Sequence, residues 1–224
     1  ILAALDDTGL DRNTLVVYCS DHGEMAGEHG CWWKSCYYEG SVGVPLIARW
    51  PGVVPANTVS PVICSLLDLA PTWVEIANQH QLACPSLPEP DGYSLWPVLC
   101  GQPDERRPDE TFAEHLGGID RAPSRMVRQG HWKLFQYADD THPTMFDLRT
   151  DPGETRDLAQ DPAYATVCAA LQQRLWQGWD PAAVLSQSRA LDRDLELLMH
   201  WGRTARQTHP DTLPVPDVEE IELR

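Results

Sequence analysis

Leu15-Val16-Val17-Tyr18-Cys19 is an uninterrupted apolar run that ends abruptly at Ser20-Asp21-His22-Gly23. A half-buried strand alternates apolar and polar residues, so a run without alternation predicts a strand covered on both faces, the pattern of a parallel strand in an α/β sheet. The apolar helical face Ile1 to Leu5, which stops near Gly9, precedes it and makes half of a βαβ unit. In open α/β sheets ligands gather beyond the carboxyl ends of the strands. Chemistry is therefore expected at Ser20 to Gly23.

Downstream, Pro45 to Ala48 reads as a second strand closed by Pro51-Gly52. Asp68 to Ala70 can cap a helix that carries Pro71 near its first position and runs through Trp73, Val74 and Ile76. Residues 78 to 92 read as a Pro-rich loop. From about Thr111 the pattern changes to closely spaced strands, Thr111–Glu114, Arg125–Arg128, Trp132–Tyr137 and Thr144–Asp147, which suggests a small antiparallel sheet. Asp161-Pro162 starts a helix to about Gly178, and Asp180-Pro181 starts another to about Gly202. The predicted fold class is α/β: residues 1–105 as the end of a large, mostly parallel-sheet domain, 106–180 as the antiparallel sheet with a packing helix, and 181–224 as a helix and extended tail.

Charge narrows the partners. Acidic residues outnumber basic ones 33 to 17, for a formal net charge of -16, and no Lys/Arg cluster offers a stripe to a phosphate backbone, which argues against nucleic acid. The longest apolar run, Val62 to Ala70, is far short of the roughly 20 residues of a membrane span and is broken by Asp68. Seven cysteines, none in a C-x-x-C pair, read as buried free thiols and lean toward a reducing compartment without fixing one. The first residues form a helical face already running, with neither Met nor a capping residue before them, so the chain reads as part of a longer protein.

Asp21 and His22, adjacent at a predicted strand end, offer a carboxylate oxygen and an imidazole nitrogen that suit a divalent cation such as Ca²⁺ or Mn²⁺. The plain alternative is a turn, since Asp, His and Gly are common after buried strands. Lys34 lies thirteen residues beyond Asp21, among Trp32, Trp33, Tyr37 and Tyr38. It is either a solvated group whose stem covers aromatic rings or an ammonium placed to stabilise an anionic ester near a metal.

Taken together, Ser20-Asp21-His22-Gly23-Glu24, Gly27-Glu28-His29-Gly30, Trp33-Lys34 and Tyr38-Glu39-Gly40-Ser41 leading into Val44-Pro45-Leu46-Ile47 resemble the type I sulfatases of the alkaline phosphatase superfamily. The similarity continues through Leu67 to Thr72, Asp91 to Leu95, Met126-Val127-Arg128, Lys133-Leu134, Phe146-Asp147-Leu148 and Asp151 to Glu154. His22, where many arylsulfatases carry Asn, is closer to the choline-sulfatase and iduronate-sulfatase branches. The resemblance implies a sulfuric ester hydrolase in which Asp21 and His22 are two metal ligands, with Ca²⁺ first and Mn²⁺ or Mg²⁺ as alternatives. It implies that Lys34 contacts the sulfate group as catalytic and substrate-binding residue. His29 is a candidate to orient these neighbours and His115 a candidate lining residue of the substrate pocket. A small sulfated substrate is the implied partner, and the carboxyl-terminal extension implies a homo-oligomer.

The resemblance also implies a formylglycine made from Cys or Ser in C/S-x-P/A-x-R, and a further Asp pair. The sequence contains no such motif. Cys84-Pro85-Ser86-Leu87-Pro88 and Ser86-Leu87-Pro88-Glu89-Pro90 come nearest, and both lack the Arg. The 224 residues are thus expected to be inactive by themselves. A phosphonate or phosphodiester hydrolase of the same superfamily, or a non-catalytic metal- and anion-binding fragment, stays open as an alternative.

Overall fold

The computed structural model describes residues 1–80, 90–116 and 122–204, so the predicted loop's Cys84 to Pro88 and the acidic tail lie outside the described residues. Helix α1, Leu2–Thr8, ends where Gly9 adopts a left-handed conformation (φ 70) and its N–H caps the last turn. Strand β1, Val16–Cys19, follows. The short helix α2, Glu39–Val42, leads into strand β2, Leu46–Arg49.

The first strand departs from expectation. β1 pairs antiparallel with β2, Val16 opposite Arg49 and Cys19 opposite Leu46, and no parallel pairing occurs among the described residues. An apolar run encodes the need for cover, not the direction of the neighbouring strand, and short strands satisfy their ladders either way. The cover is also incomplete, because Tyr18 and Ile47 remain 64% and 61% exposed. The thiols differ from expectation too. The described cysteines are free, yet only Cys168 is buried, and Cys19 and Cys64 are exposed.

Helices α3, Leu69–Gln79, and α4, Trp96–Leu99, come next. Asp68 precedes α3 but does not cap it with its side chain. The buried carboxylate instead accepts from the Ser65 N–H (2.8 Å), the Tyr93 N–H (2.8 Å) and Arg107 Nη1 (2.7 Å). It thereby ties three segments together.

Strands β3 (Glu110–His115), β4 (Ser124–Gln129), β5 (Trp132–Tyr137) and β6 (Thr144–Asp147) form one antiparallel meander, as expected. Their two-residue period separates two apolar faces. Val127, Leu134 and Met145 stand opposite one another on one face and pack on Cys168, Leu171 and Leu175 of helix α5, Ala165–Trp176. Met126, Phe135 and Phe146 lie on the other face, where Tyr37, Tyr38 and Val42 cover them. Each fully buried aliphatic side chain contributes on the order of 1.5–3 kcal/mol. The sheet is thus a rigid slab against which residues 37–42 are pressed.

The described residues up to 181 form one compact unit and those from 182 to 204 belong to a second. In the second, helix α6 (Pro181–Thr204) exposes Leu191, Leu195, Leu198, Met199 and Trp201. No described helix is long and apolar enough to cross a membrane.

Candidate functional site

Just past β1 the chain turns sharply. Ser20 Oγ donates to the His22 carbonyl (2.8 Å), and the His22 N–H donates to Asp21 Oδ1 (3.1 Å). The Gly23 N–H donates to the Ser41 carbonyl at 2.8 Å. A Cβ at Gly23 would stand 2.1 Å from the Gly40 carbonyl oxygen, so only glycine lets the loop lie against α2.

His22 Nδ1 lies 2.7 Å from the Gly23 carbonyl. A carbonyl only accepts, so Nδ1 carries the proton and in the neutral ring the lone pair falls on Nε2. Nε2 sits 3.6 Å from Asp21 Oδ2, and the two point to the same side of the turn. Desolvation raises the pKa of Asp21, but the N–H groups of Asp21 and His22 and the charges of His22 and Lys34 outweigh it and hold the carboxyl below its usual range. An oxygen and an imidazole nitrogen so placed fit part of a divalent cation's shell. Among the described residues no group of three His, Cys, Asp or Glu comes together to close one.

Lys34 is delivered by a tight hairpin. Glu24 Oε1 accepts the N–H groups of Trp33 (2.6 Å) and Ala26 (3.1 Å), and the Met25 N–H donates to the Trp33 carbonyl (2.9 Å). Ala26, His29 and Trp33 all hold positive φ (49, 51 and 67). Each such residue costs on the order of 1–2 kcal/mol, which the anchoring bonds must offset. Ser41 Oγ then donates to the Lys34 carbonyl at 2.6 Å.

These segments enclose a cavity of about 290 Å³ lined by Asp21, His22, Lys34 and His115, with Tyr37 and Glu114 among its other walls. Tyr37 is buried, and its hydroxyl shares a 2.9 Å hydrogen bond with Ser124 Oγ. Burial pushes its pKa up to about 12. His29 is not a lining residue. Its ring stacks on Tyr38 with centroids 4.0 Å apart.

Sequence reasoning overlooked Glu24, which pins the hairpin, and gave Ser41 no role, although Ser41 bonds both Lys34 and Gly23. Their signal was the quoted motif itself; what was missing was which backbone groups they meet.

A family model described as N-sulphoglucosamine sulphohydrolase, C-terminal, matches residues 27–180. The chain is 37% identical over 169 residues to arylsulfatase K of Xenopus laevis, covering 71% of this chain and 30% of that protein. It is 34% identical over 198 residues to choline-sulfatase of Rhizobium meliloti, covering 84% and 37%. Among solved structures it resembles a protein in complex with its substrate D-glucosamine-2-N,6-O-disulfate (27% identity, TM-score 0.67, covering 86% of this chain and 37% of that one). It also resembles the phosphonate monoester hydrolase of Agrobacterium radiobacter (27%, TM-score 0.66, covering 83% and 38%). The chain spans about a third of the length of these relatives. It therefore belongs to the type I sulfatases of the alkaline phosphatase superfamily and corresponds to their carboxyl-terminal region.

Proposed function

We propose that the protein to which these residues belong hydrolyses a sulfate ester, with Asp21 and His22 as metal ligands and Lys34 as the group that holds the sulfate. The observation that carries this reading is the meeting of Asp21, His22, Lys34 and His115 on one cavity, although His115 is 81 residues from Lys34 in sequence. A bound divalent cation, Ca²⁺ before Mn²⁺ or Mg²⁺, would supply Lewis acidity toward an anionic oxygen. Asp21 Oδ2 and His22 Nε2 would hold it. The Gly23 carbonyl fixes the tautomer that keeps Nε2 available. Lys34 places an ammonium where negative charge grows on the sulfate oxygens as the ester bond breaks. The Glu24 and Ser41 bonds limit where that ammonium can swing. His115 and Tyr37 also line the cavity, and in this reading they meet the rest of the substrate.

The nucleophile is assigned to a formylglycine outside these 224 residues, since they contain no C/S-x-P/A-x-R motif. A sulfated sugar is the substrate class suggested by the relative solved with a disulfated glucosamine. The apolar face of α6, with Leu195 and Trp201 exposed, is assigned to a homo-oligomer contact. Truncation after Gly178 should then lower the mass of the full-length protein by light scattering, and an unchanged mass removes the assignment.

Full-length protein should release nitrophenol from a nitrophenyl sulfate, and the 224-residue chain alone should not. Lys34→Ala should lower kcat/KM on the order of a hundredfold to a thousandfold. Unaltered turnover in that variant overturns the site. A phosphonate monoester run beside the sulfate tests the second reading, which the likeness to the Agrobacterium hydrolase favours; preference for the phosphonate would replace sulfatase by that activity.

A further inference from the structure

Fifteen of the seventeen basic residues are Arg, and the two lysines are Lys34 and Lys133. Lys34 is exposed at the cavity, whereas Lys133 on β5 is fully buried. Its ammonium lies 2.8 Å from Glu39 Oε1 and 2.6 Å from Glu154 Oε1. Glu154 Oε2 in turn accepts the Glu39 N–H at 2.6 Å. Arg128 Nη1 approaches Glu39 Oε2 at 3.6 Å. Glu154 holds a left-handed backbone (φ 52), so the turn that presents it is strained.

Burying an ammonium is unfavourable even when it is paired, and an apolar residue of similar size would fill the same space at lower cost. The charge therefore calls for a reason beyond stability. Lys133 stands opposite Phe146 on the sheet face that packs on residues 37–42, and its partner Glu39 is the first residue of α2. Two residues on, Ser41 donates through Oγ to the Lys34 carbonyl and accepts the Gly23 N–H at its own carbonyl. Both halves of the candidate site hang from a helix four residues long.

We propose that Lys133, with Glu39 and Glu154, is a positioning device that sets α2 on the rigid sheet and so fixes the distance between the Asp21-His22 turn and Lys34. Lys133 never touches substrate and acts through Glu39 and Ser41. The inference rests on the sulfate-ester reading of the site.

The test is a set of variants in the full-length protein, assayed below the onset of each variant's melting: Lys133→Met, Ser41→Ala, Lys34→Ala and the doubles with Lys34→Ala. A displacement near 1 Å costs about a hundredfold, so Lys133→Met should lower kcat/KM by tenfold to about a hundredfold. Ser41→Ala cuts the last link and leaves the ion cluster intact, so it keeps the test alive if Lys133→Met does not fold. Added to Lys34→Ala, either change should cost markedly less than it does alone, since the group it positions is gone. Acylation of the Lys34 amine by acetic anhydride, followed by mass spectrometry of its peptide, should change rate in Ser41→Ala without any turnover being needed. Folded variants with wild-type kcat/KM and wild-type Lys34 acylation, or losses that multiply in full with that of Lys34→Ala, overturn the inference. If Lys34→Ala itself leaves turnover intact, the sulfate site fails instead.

Discussion

Residues 20–43 and the four-stranded sheet occupy the same compact unit and are held by different forces. The sheet is stabilised by apolar burial: Val127, Leu134 and Met145 are fully inaccessible, as is Leu175 of the helix above them. The site segment buries only Met25, Tyr37 and Ser41, and single polar bonds onto Glu24, Ser41 and Glu39 set its shape. Apolar burial is cumulative and non-directional, so it fixes a fold without fixing an atom to a fraction of an ångström. Hydrogen bonds and ion pairs are directional and fix atoms, at small net gain in stability. The contrast implies that stability and activity can be damaged separately.

The largest separation should come from the sheet. Leu134→Ala or Leu175→Ala should destabilise the full-length protein by about 2–5 kcal/mol in chemical denaturation, while the folded fraction keeps its kcat. Loss of kcat in the folded fraction of either sheet variant would break the distinction. At the site, Asp21→Ala should remove a charged ligand and lower bound divalent metal, measured by elemental analysis after dialysis, while stability in metal-free buffer moves by no more than about 0.5 kcal/mol. Unchanged metal content would remove Asp21 from the shell.

Tyr37 joins the two regions, and pH can test it. Its folded pKa, pushed up to about 12 by burial, exceeds the ordinary value of 10.0. The unfolded chain therefore loses the phenol proton first, and stability present below pH 10 is lost as pH rises toward 12. At 1.36 kcal/mol per pKa unit the effect is on the order of 2–3 kcal/mol. Denaturation midpoints of the wild type should fall more steeply over that window than those of Tyr37→Phe, and parallel slopes would reject the assignment.

Gly23→Ala should cost a modest amount of stability and lower turnover visibly. Its Cβ cannot share space with the Gly40 carbonyl, so the turn must shift, at about 1–3 kcal/mol. Activity should drop more than Leu134→Ala's does. Equal kcat in Gly23→Ala and wild type would show that the turn tolerates movement.

Local pattern in the chain already carried the sheet, and it offered the groups of the candidate site. Trp132–Tyr137 and Thr144–Asp147 match the observed strands residue for residue, because a two-residue period and short turns are local properties of the chain. Asp21, His22 and Lys34 stand out through the run of motifs around them, from Ser20 to Ile47, since an Asp-His pair or a lone Lys by itself has plainer readings. Only the tertiary structure decided the direction of β1's partner, since an apolar run reports burial and carries no arrow. It also decided that His115 reaches the cavity while His29 turns away to stack on Tyr38. The work of Lys133 was likewise invisible, because its two carboxylate partners are 94 residues before it and 21 after it in the chain. Local pattern names the groups that a chain can use. Which groups meet depends on contacts between distant segments, and those exist only once the sheet has formed.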